Sequence, residues 1–513
     1  MCSSPLTASI HILDDDSLLN MFYLYQPFLL GEDDDNEYDR LIGGNEGWDR
    51  GRWWYKLAHV CQRWRNVVLG SAAFLGVSLV CTSGTPVADM LAHSPPLPLL
   101  IDYQLDGDNN LNAEDEEGAI LALGKYNRVR RVRLNMPPTS LQKFITAMDE
   151  EYSILEHLII GHEIEDKTTI LTFPETLQAP RLRHLTLIGF ALPIGSRLLM
   201  TAVGLVTLCL VMDNPSTYFH PNTLLQWLSF MPHLETILIR FLFPDRSRHV
   251  ERQFPHTAIT TPITLPNLRH FWFRGVTAYL EALLYRISAP HLEKLEPEFF
   301  NQLTFSVPRL LHFVGTTENL RFKSATFRFS DEMVDVEVYP HEDAEIYALH
   351  IIVNCCHLDW QVSSAAQIFS ALSPVFSAVE HLTFEHSEHY RSSEEHNEVD
   401  CTEWRKLLSS FRNVKTLRVA EGLVKELTRC LPLDDRELPL EMLPELQELT
   451  YSGSGNTSDA FTPFINARQN TSRPLTLACH SPTPDPYSHA SSSTSIAPLI
   501  APPNSEAGSD HDA

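Results

Sequence analysis

Pro180-Arg181-Leu182-Arg183-His184-Leu185-Thr186-Leu187 is a proline and a short polar link followed by apolar residues at Leu182, Leu185 and Leu187. The same lead-in returns as Pro232-His233-Leu234-Glu235, Pro266-Asn267-Leu268-Arg269-His270, Pro290-His291-Leu292-Glu293 and Pro444-Glu445-Leu446-Gln447. The apolar-x-x-apolar-x-apolar spacing also occurs at Val129-Val132-Leu134, Leu155-Leu158-Ile160, Leu205-Leu208-Leu210, Leu234-Ile237-Ile239 and Leu268-Phe271-Phe273. A weaker copy, Phe322-Ala325-Phe327, precedes Val379-Leu382-Phe384, Val414-Leu417-Val419 and Leu446-Leu449-Tyr451. From Val129 to Leu292 the starts lie 23 to 34 residues apart. Side chains alternate along a strand, so each stretch predicts a short strand with one buried face. A proline ahead of it ends the preceding helix and favours extended backbone into the strand.

This period and spacing resemble irregular leucine-rich repeats, with one strand and one helix or loop per unit, stacked as a solenoid. Helical apolar spacing over 139–148, 223–230, 278–286, 363–372 and 403–411 predicts its outer layer. Alternation at Val334, Val336 and Val338, and again at Leu349, Ile351 and Val353, predicts extra strands in one divergent unit. After about Ser454 the chain turns to Ser, Thr, Pro, Asn and Gly, which predicts a disordered tail over 454–513.

Ahead of the repeats, Asp14, Asp15, Asp16 and Ser17 offer N-cap oxygens and negative charge to a helix over 14–25. Leu18, Met21, Phe22 and Tyr25 form its apolar face. A polar stretch with Glu32, Asp33, Asp34, Asp35, Glu37 and Asp39 then predicts an acidic loop over 31–52. One continuous helix is predicted over 53–69, with Trp53, Leu57, Val60, Cys61, Trp64, Val67 and Val68 on one stripe.

Leu13, Leu18, Met21 and Phe22, closed by Val60-Cys61-Gln62-Arg63-Trp64-Arg65, resemble the two ends of an F-box. That resemblance implies that Leu13, Leu18, Met21, Phe22, Leu57, Val60, Cys61 and Trp64 form the surface and supporting core that dock a Skp-type adaptor, which in turn binds a cullin. The chain departs from the pattern at Asp14, where proline is usual, and at Ser17, where a branched apolar residue is usual. The implied fold class is α/β. A small helical F-box-like domain over 1–75 leads into a leucine-rich-repeat solenoid over 76–453, strands inside and helices outside.

Composition narrows the remaining functions. With 39 basic and 65 acidic residues the formal charge is −26, which disfavours nucleic acid and acidic membranes as partners. No apolar run near the start suits a signal peptide or a membrane span. Nine cysteines at irregular positions, without C-x-x-C, suggest a reducing compartment, cytoplasm or nucleus, and no zinc site. His386 and His389 are three apart and lack the H-E-x-x-H order, so no metal is expected there. No phosphate-binding loop or nucleophile–base set is visible, and neither a cofactor nor an enzymatic activity is expected.

In the repeats, alternation turns Arg131, Arg133, His157, His184, Thr186 and Thr207 to the concave side, and later Lys294, His381, Glu385, Thr416 and Arg418. Arg240, His270, Trp272 and Arg274 stand out among them, because tryptophan beside arginine is the combination favoured in binding hot spots. The reading is a substrate-recognition subunit of an SCF-type ubiquitin ligase, with a protein client on the repeats. The alternative is a leucine-rich scaffold without a ligase, its helical start serving as an end cap.

Overall fold

The computed structural model describes residues 13–26, 52–105, 111–162, 170–243, 262–386, 401–431, 442–452, 461–470 and 475–480. The acidic loop over 31–51 lies outside them, as do His389 and residues 481–513 of the tail.

The strands run in chain order. The first eight are β1 (Leu79–Cys81), β2 (Leu99–Gln104), β3 (Val129–Asn135), β4 (His157–Gly161), β5 (Leu171–Thr172), β6 (His184–Ile188), β7 (Phe190–Ala191) and β8 (Thr207–Met212). They are followed by β9 (Thr236–Phe241), β10 (Ile263–Thr264), β11 (His270–Gly275), β12 (Ile287–Ser288), β13 (Lys294–Phe300) and β14 (Ser324–Phe329). The last six are β15 (Met333–Tyr339), β16 (Leu349–Asn354), β17 (His381–His386), β18 (Thr416–Val419), β19 (Glu448–Ser452) and β20 (Thr476–His480). Sixteen of them form one open sheet in the order β1-β2-β3-β4-β6-β8-β9-β11-β13-β16-β15-β14-β17-β18-β19-β20, while β5 pairs β7 and β10 pairs β12.

Alternation decides which face is buried. Leu158, Leu185, Leu208, Ile237, Phe271 and Leu295 stand side by side across β4 to β13 and are buried with the helices in a single apolar core. The intervening residues form the opposite, largely polar face of the sheet.

The lead-in prolines act differently from the expectation. Pro180, Pro232, Pro266, Pro290 and Pro444 each occupy the second position of a tight turn. In each, the leucine N–H donates to the carbonyl three residues back: Leu182 to Ala179, Leu234 to Met231, Leu268 to Leu265, Leu292 to Ala289 and Leu446 to Leu443. Proline fixes φ where such a turn needs it and has no N–H to leave unpaired. The next residue then bonds to the preceding unit: Arg183 N–H to Glu156 O, Glu235 to Val206, Arg269 to Glu235, Glu293 to Arg269 and Gln447 to Lys415.

Among the described strands of the large sheet, regular succession fails once, inside the span where extra strands are predicted. β15 is antiparallel to both neighbours, β14 and β16, whereas β13 with β16 and β14 with β17 are parallel. The three strands therefore fill the sheet in reverse chain order. The chain leaves β16, returns past β15 and β14, and enters β17 through the 19-residue helix Leu358–Phe376, the longest of the described helices.

Two expectations need correction. The helix predicted over 53–69 is broken into Trp53–Ala58 and Gln62–Gly70. Cys61 is extended at the break and caps the second piece, its Sγ accepting from Trp64 N–H at 3.5 Å, while Arg65 Nε donates to Ala58 O at 3.1 Å. The tail, expected to be disordered from 454, instead supplies the helix Thr462–Asn470 and β20, which pairs parallel with β19. Phe461, Phe464 and Leu475 are buried there despite the polar composition around them. Arg468, fully buried, donates to the carbonyls of Leu443, Pro444 and Leu446 and so ties this last helix to the turn before β19.

Candidate interaction surfaces

The first surface is helical. Asp14 caps the helix Asp15–Tyr25 through Ser17 N–H, and Arg63 reaches back to Asp15 at 2.8 Å and to the carbonyl of Leu13. Leu18, Phe22 and Leu57 are buried and join the core that continues into β1, with Trp54 Nε1 donating to Ser78 O at 3.0 Å. Trp64 packs its ring 4.9 Å from that of Phe22 and is half-buried, as are Leu13 and Cys61. Of the eight docking residues, only Met21 (44% exposed) and Val60 (57%) lie well out in solvent. Tyr23, Leu24, Tyr25 and Phe74 are also exposed, and the Tyr23 and Phe74 rings lie 5.3 Å apart, tilted by 36°. Three- and four-residue spacing signals a helix face, but both the inner and outer faces of Asp15–Tyr25 are apolar. Spacing alone could not say which was which.

The second surface is the polar face of the sheet, and charge organises it in two ways. Towards the first strands, His157 and His184 stack at 4.4 Å, and His184 Nδ1 meets Thr207 Oγ1 at 3.1 Å. Burial, and then the nearby Arg131 guanidinium, drive His157 down to about 2 and lower His184 as well, so both rings are neutral. Beside them Arg133 and Asp102, 4% and 9% exposed, form a two-pronged pair at 2.9 Å.

At the reversed strands the histidine is charged instead. His350 Nε2 lies 2.5 Å from Asp335 and Nδ1 3.4 Å from Glu296. Burial opposes the charged ring, but these two carboxylates outweigh it and raise His350 to about 9. Arg328 meets Glu337 at 2.7 Å, Glu385 at 2.9 Å and Asp335 at 3.5 Å, and Tyr339 donates to Glu337. Burial would raise Glu337, yet the bond from Arg328 holds it below the usual range. Asp335, Glu337 and His350 offer ligand atoms within 4.8 Å of one another. Arg328 and the imidazolium already sit among these donors, so the set functions as an ion-pair network.

The four residues singled out from the sequence do come together on this face. Trp272 stands between Leu238 and Glu296, and Arg274 between Arg240 and Glu298. They are not the open hot spot expected. Arg240 and Arg274 both pair with Glu298, at 3.5 and 3.2 Å, and His270 lies edge-on to Trp272 at 5.8 Å. Trp272 is half-buried against the small apolar cluster of Cys209, Val211 and Leu238, with Ile188 and Leu242 alongside. Glu296, Asp335 and His350 were missed, since nothing in one strand signals a partner that a reversed strand brings from 15 to 54 residues away.

No family model matches the chain, and no curated protein matches its sequence. Among the described residues, no helix is long and apolar enough to cross a membrane.

Proposed function

We propose that the chain is a substrate-recognition subunit of an SCF-type cullin-RING ubiquitin ligase, acting in the cytoplasm or nucleus. Its helical start docks a Skp-type adaptor and, through it, a cullin, and the polar face of the sheet holds a protein client. The chain itself supplies no catalytic group. Holding a client lysine near a charged conjugating enzyme makes the encounter effectively intramolecular, which is the whole of its contribution to rate. The observation that carries the reading is the exposed apolar set Met21, Leu24 and Tyr25 on the helix Asp15–Tyr25, whose Leu18 and Phe22 are in the core, together with exposed Val60 in the turn between the next two helices. Met21, Leu24 and Tyr25 fall at three- and four-residue spacing on one helix face, and exposed apolar groups gathered on one face mark partner sites.

The test is co-elution of the purified chain with a Skp-type adaptor. Met21→Asp combined with Val60→Asp should weaken docking more than about tenfold, because two charges would be desolvated at the contact. Thermal unfolding should be unchanged, since both side chains are exposed. Unaltered co-elution would sink the docking surface. Surface variants are preferable to deletion of the first 75 residues, because Leu18, Phe22 and Trp54 share the core with β1.

That shared core also favours a second reading, in which the helical start only caps the sheet of a leucine-rich scaffold. On that reading no adaptor co-elutes with the wild-type chain.

A further inference from the structure

Glu296 lies at the centre of a group of donors. Tyr347 Oη donates to it at 3.2 Å, His350 Nδ1 lies 3.4 Å from the same carboxylate oxygen, and Trp272 is its cross-strand neighbour. The fourth neighbour is the Lys294 ammonium, 3.2 Å from the other carboxylate oxygen. That ammonium is held over two aromatic faces, 4.4 Å from the Tyr347 ring centroid and 5.5 Å from that of Trp272. A carboxylate backed by two aromatic faces is the arrangement that binds an alkylammonium ion most strongly, since ring quadrupole and charge act together.

Lys294 differs from the other donors in what its departure would cost. Without it, Glu296 Oε2 keeps Tyr347 and His350, while the buried Oε1, which meets the Lys294 ammonium at 3.2 Å, is left open for a replacing ammonium. All three residues stand on strands, but Lys294 reaches the site on a flexible four-carbon stem, whereas Trp272 and His350 carry their rings on a single methylene. The apolar group of Ile188, Leu242 and Trp272 continues from the site across the face, offering contact to whatever flanks an incoming cation.

We infer that Trp272, Tyr347 and Glu296 form a recognition site for a lysine side chain of a bound protein, and that Lys294 is its exchangeable internal occupant. This deepens the reading of the polar face as the client side and rests on it: the client is one that presents a lysine next to apolar residues.

The experiment uses the full chain and a fluorescein-labelled peptide with one lysine between leucines, compared with its norleucine counterpart. Anisotropy gives the affinity, and the indole N–H resonance of Trp272 reports where the peptide sits. Lys294→Met keeps the apolar stem and removes the competitor, so it should bind the lysine peptide about tenfold more tightly than wild type, as expected when a competing state is removed. Glu296→Gln should abolish that gain in the Lys294→Met background, and the norleucine peptide should show none. A purely structural Lys294 predicts no gain, so an unchanged affinity in Lys294→Met overturns the site. Equal responses of the Trp272 signal to both peptides overturn the cation site but leave the client face standing. Silence to both peptides overturns the two together. Thermal unfolding of each variant confirms that it is folded.

Discussion

His157 and His350 belong to the same face of one sheet, and their neighbours hold them in opposite states. At β4 the ring stacks on a second histidine with an arginine close by, and it stays neutral down to about pH 2. At β16 the ring is wedged between Asp335 and Glu296, with Glu337, Arg328, Lys294 and Tyr347 around it, and keeps its proton to about pH 9. Burial pushes both towards neutrality, so burial is not what separates them. The difference is the sign of the nearest fixed charge, and that sign follows from topology: regular parallel succession brings His157 beside His184, whereas reversal of β14 to β16 brings Asp335 and Glu296 to His350.

The largest break in this contrast should come from Asp335→Asn. It removes the closest carboxylate from His350 and one of three from Arg328, and should cost about 2 to 3 kcal/mol at pH 7 by urea unfolding, less than for a fully buried pair. His350, followed by NMR titration, should fall back towards 6.5. An unmoved His350 would show that Glu296 alone sets its charge.

Next in size is the alkaline limb of stability. An unfolded histidine releases its proton near 6.5, whereas native His350 holds it to about 9. The contribution of His350 is therefore complete below pH 6.5 and is lost as pH rises to 9, amounting to about 2 to 3 kcal/mol. His350→Gln should flatten the stability curve between those limits. A slope that survives the substitution would assign it to another group.

The opposite limb belongs to His157. The unfolded ring takes up a proton below 6.5 and the native ring refuses it, so stability is full above 6.5 and is lost as the pH falls towards 2. His157→Phe keeps a stacking ring and removes the titration. By pH 5 it should recover about 1 to 2 kcal/mol relative to wild type, with little change at pH 8.

How much of this contrast was legible beforehand follows from what one strand can signal. The lead-in leucines and the alternation of Leu185 and Leu187 with His184 and Thr186 were enough for the strands and for their buried face. Trp272 was legible as an unusual residue on the other face, but not as a partner of Glu296, because residues in different strands meet only through register. Alternation at Val334 to Val338 announced extra strands without their order, and order is what gives His350 its carboxylates. The last unit was obscured for another reason: Phe461, Phe464 and Leu475 are too sparse in a polar stretch to register as periodic, although each is buried.

The smallest effect sets the scale of the whole face. Arg418 lies at the far end of the polar face, 61% exposed, 3.5 Å from a half-exposed Glu342. It carries the same charges as the pairs around His350 and differs from them mainly in access to water. Solvent screens such a pair and two long side chains lose freedom in holding it, so Arg418→Ala should change stability by no more than about 0.5 kcal/mol. Added salt should erase even that, whereas most of the Asp335→Asn loss should survive at 0.5 M because its closest partner, His350, is only 13% exposed. If the two variants cost the same, enclosure by the reversed strands would not be what makes the His350 network strong, and its strength would have to come from the number of charges alone.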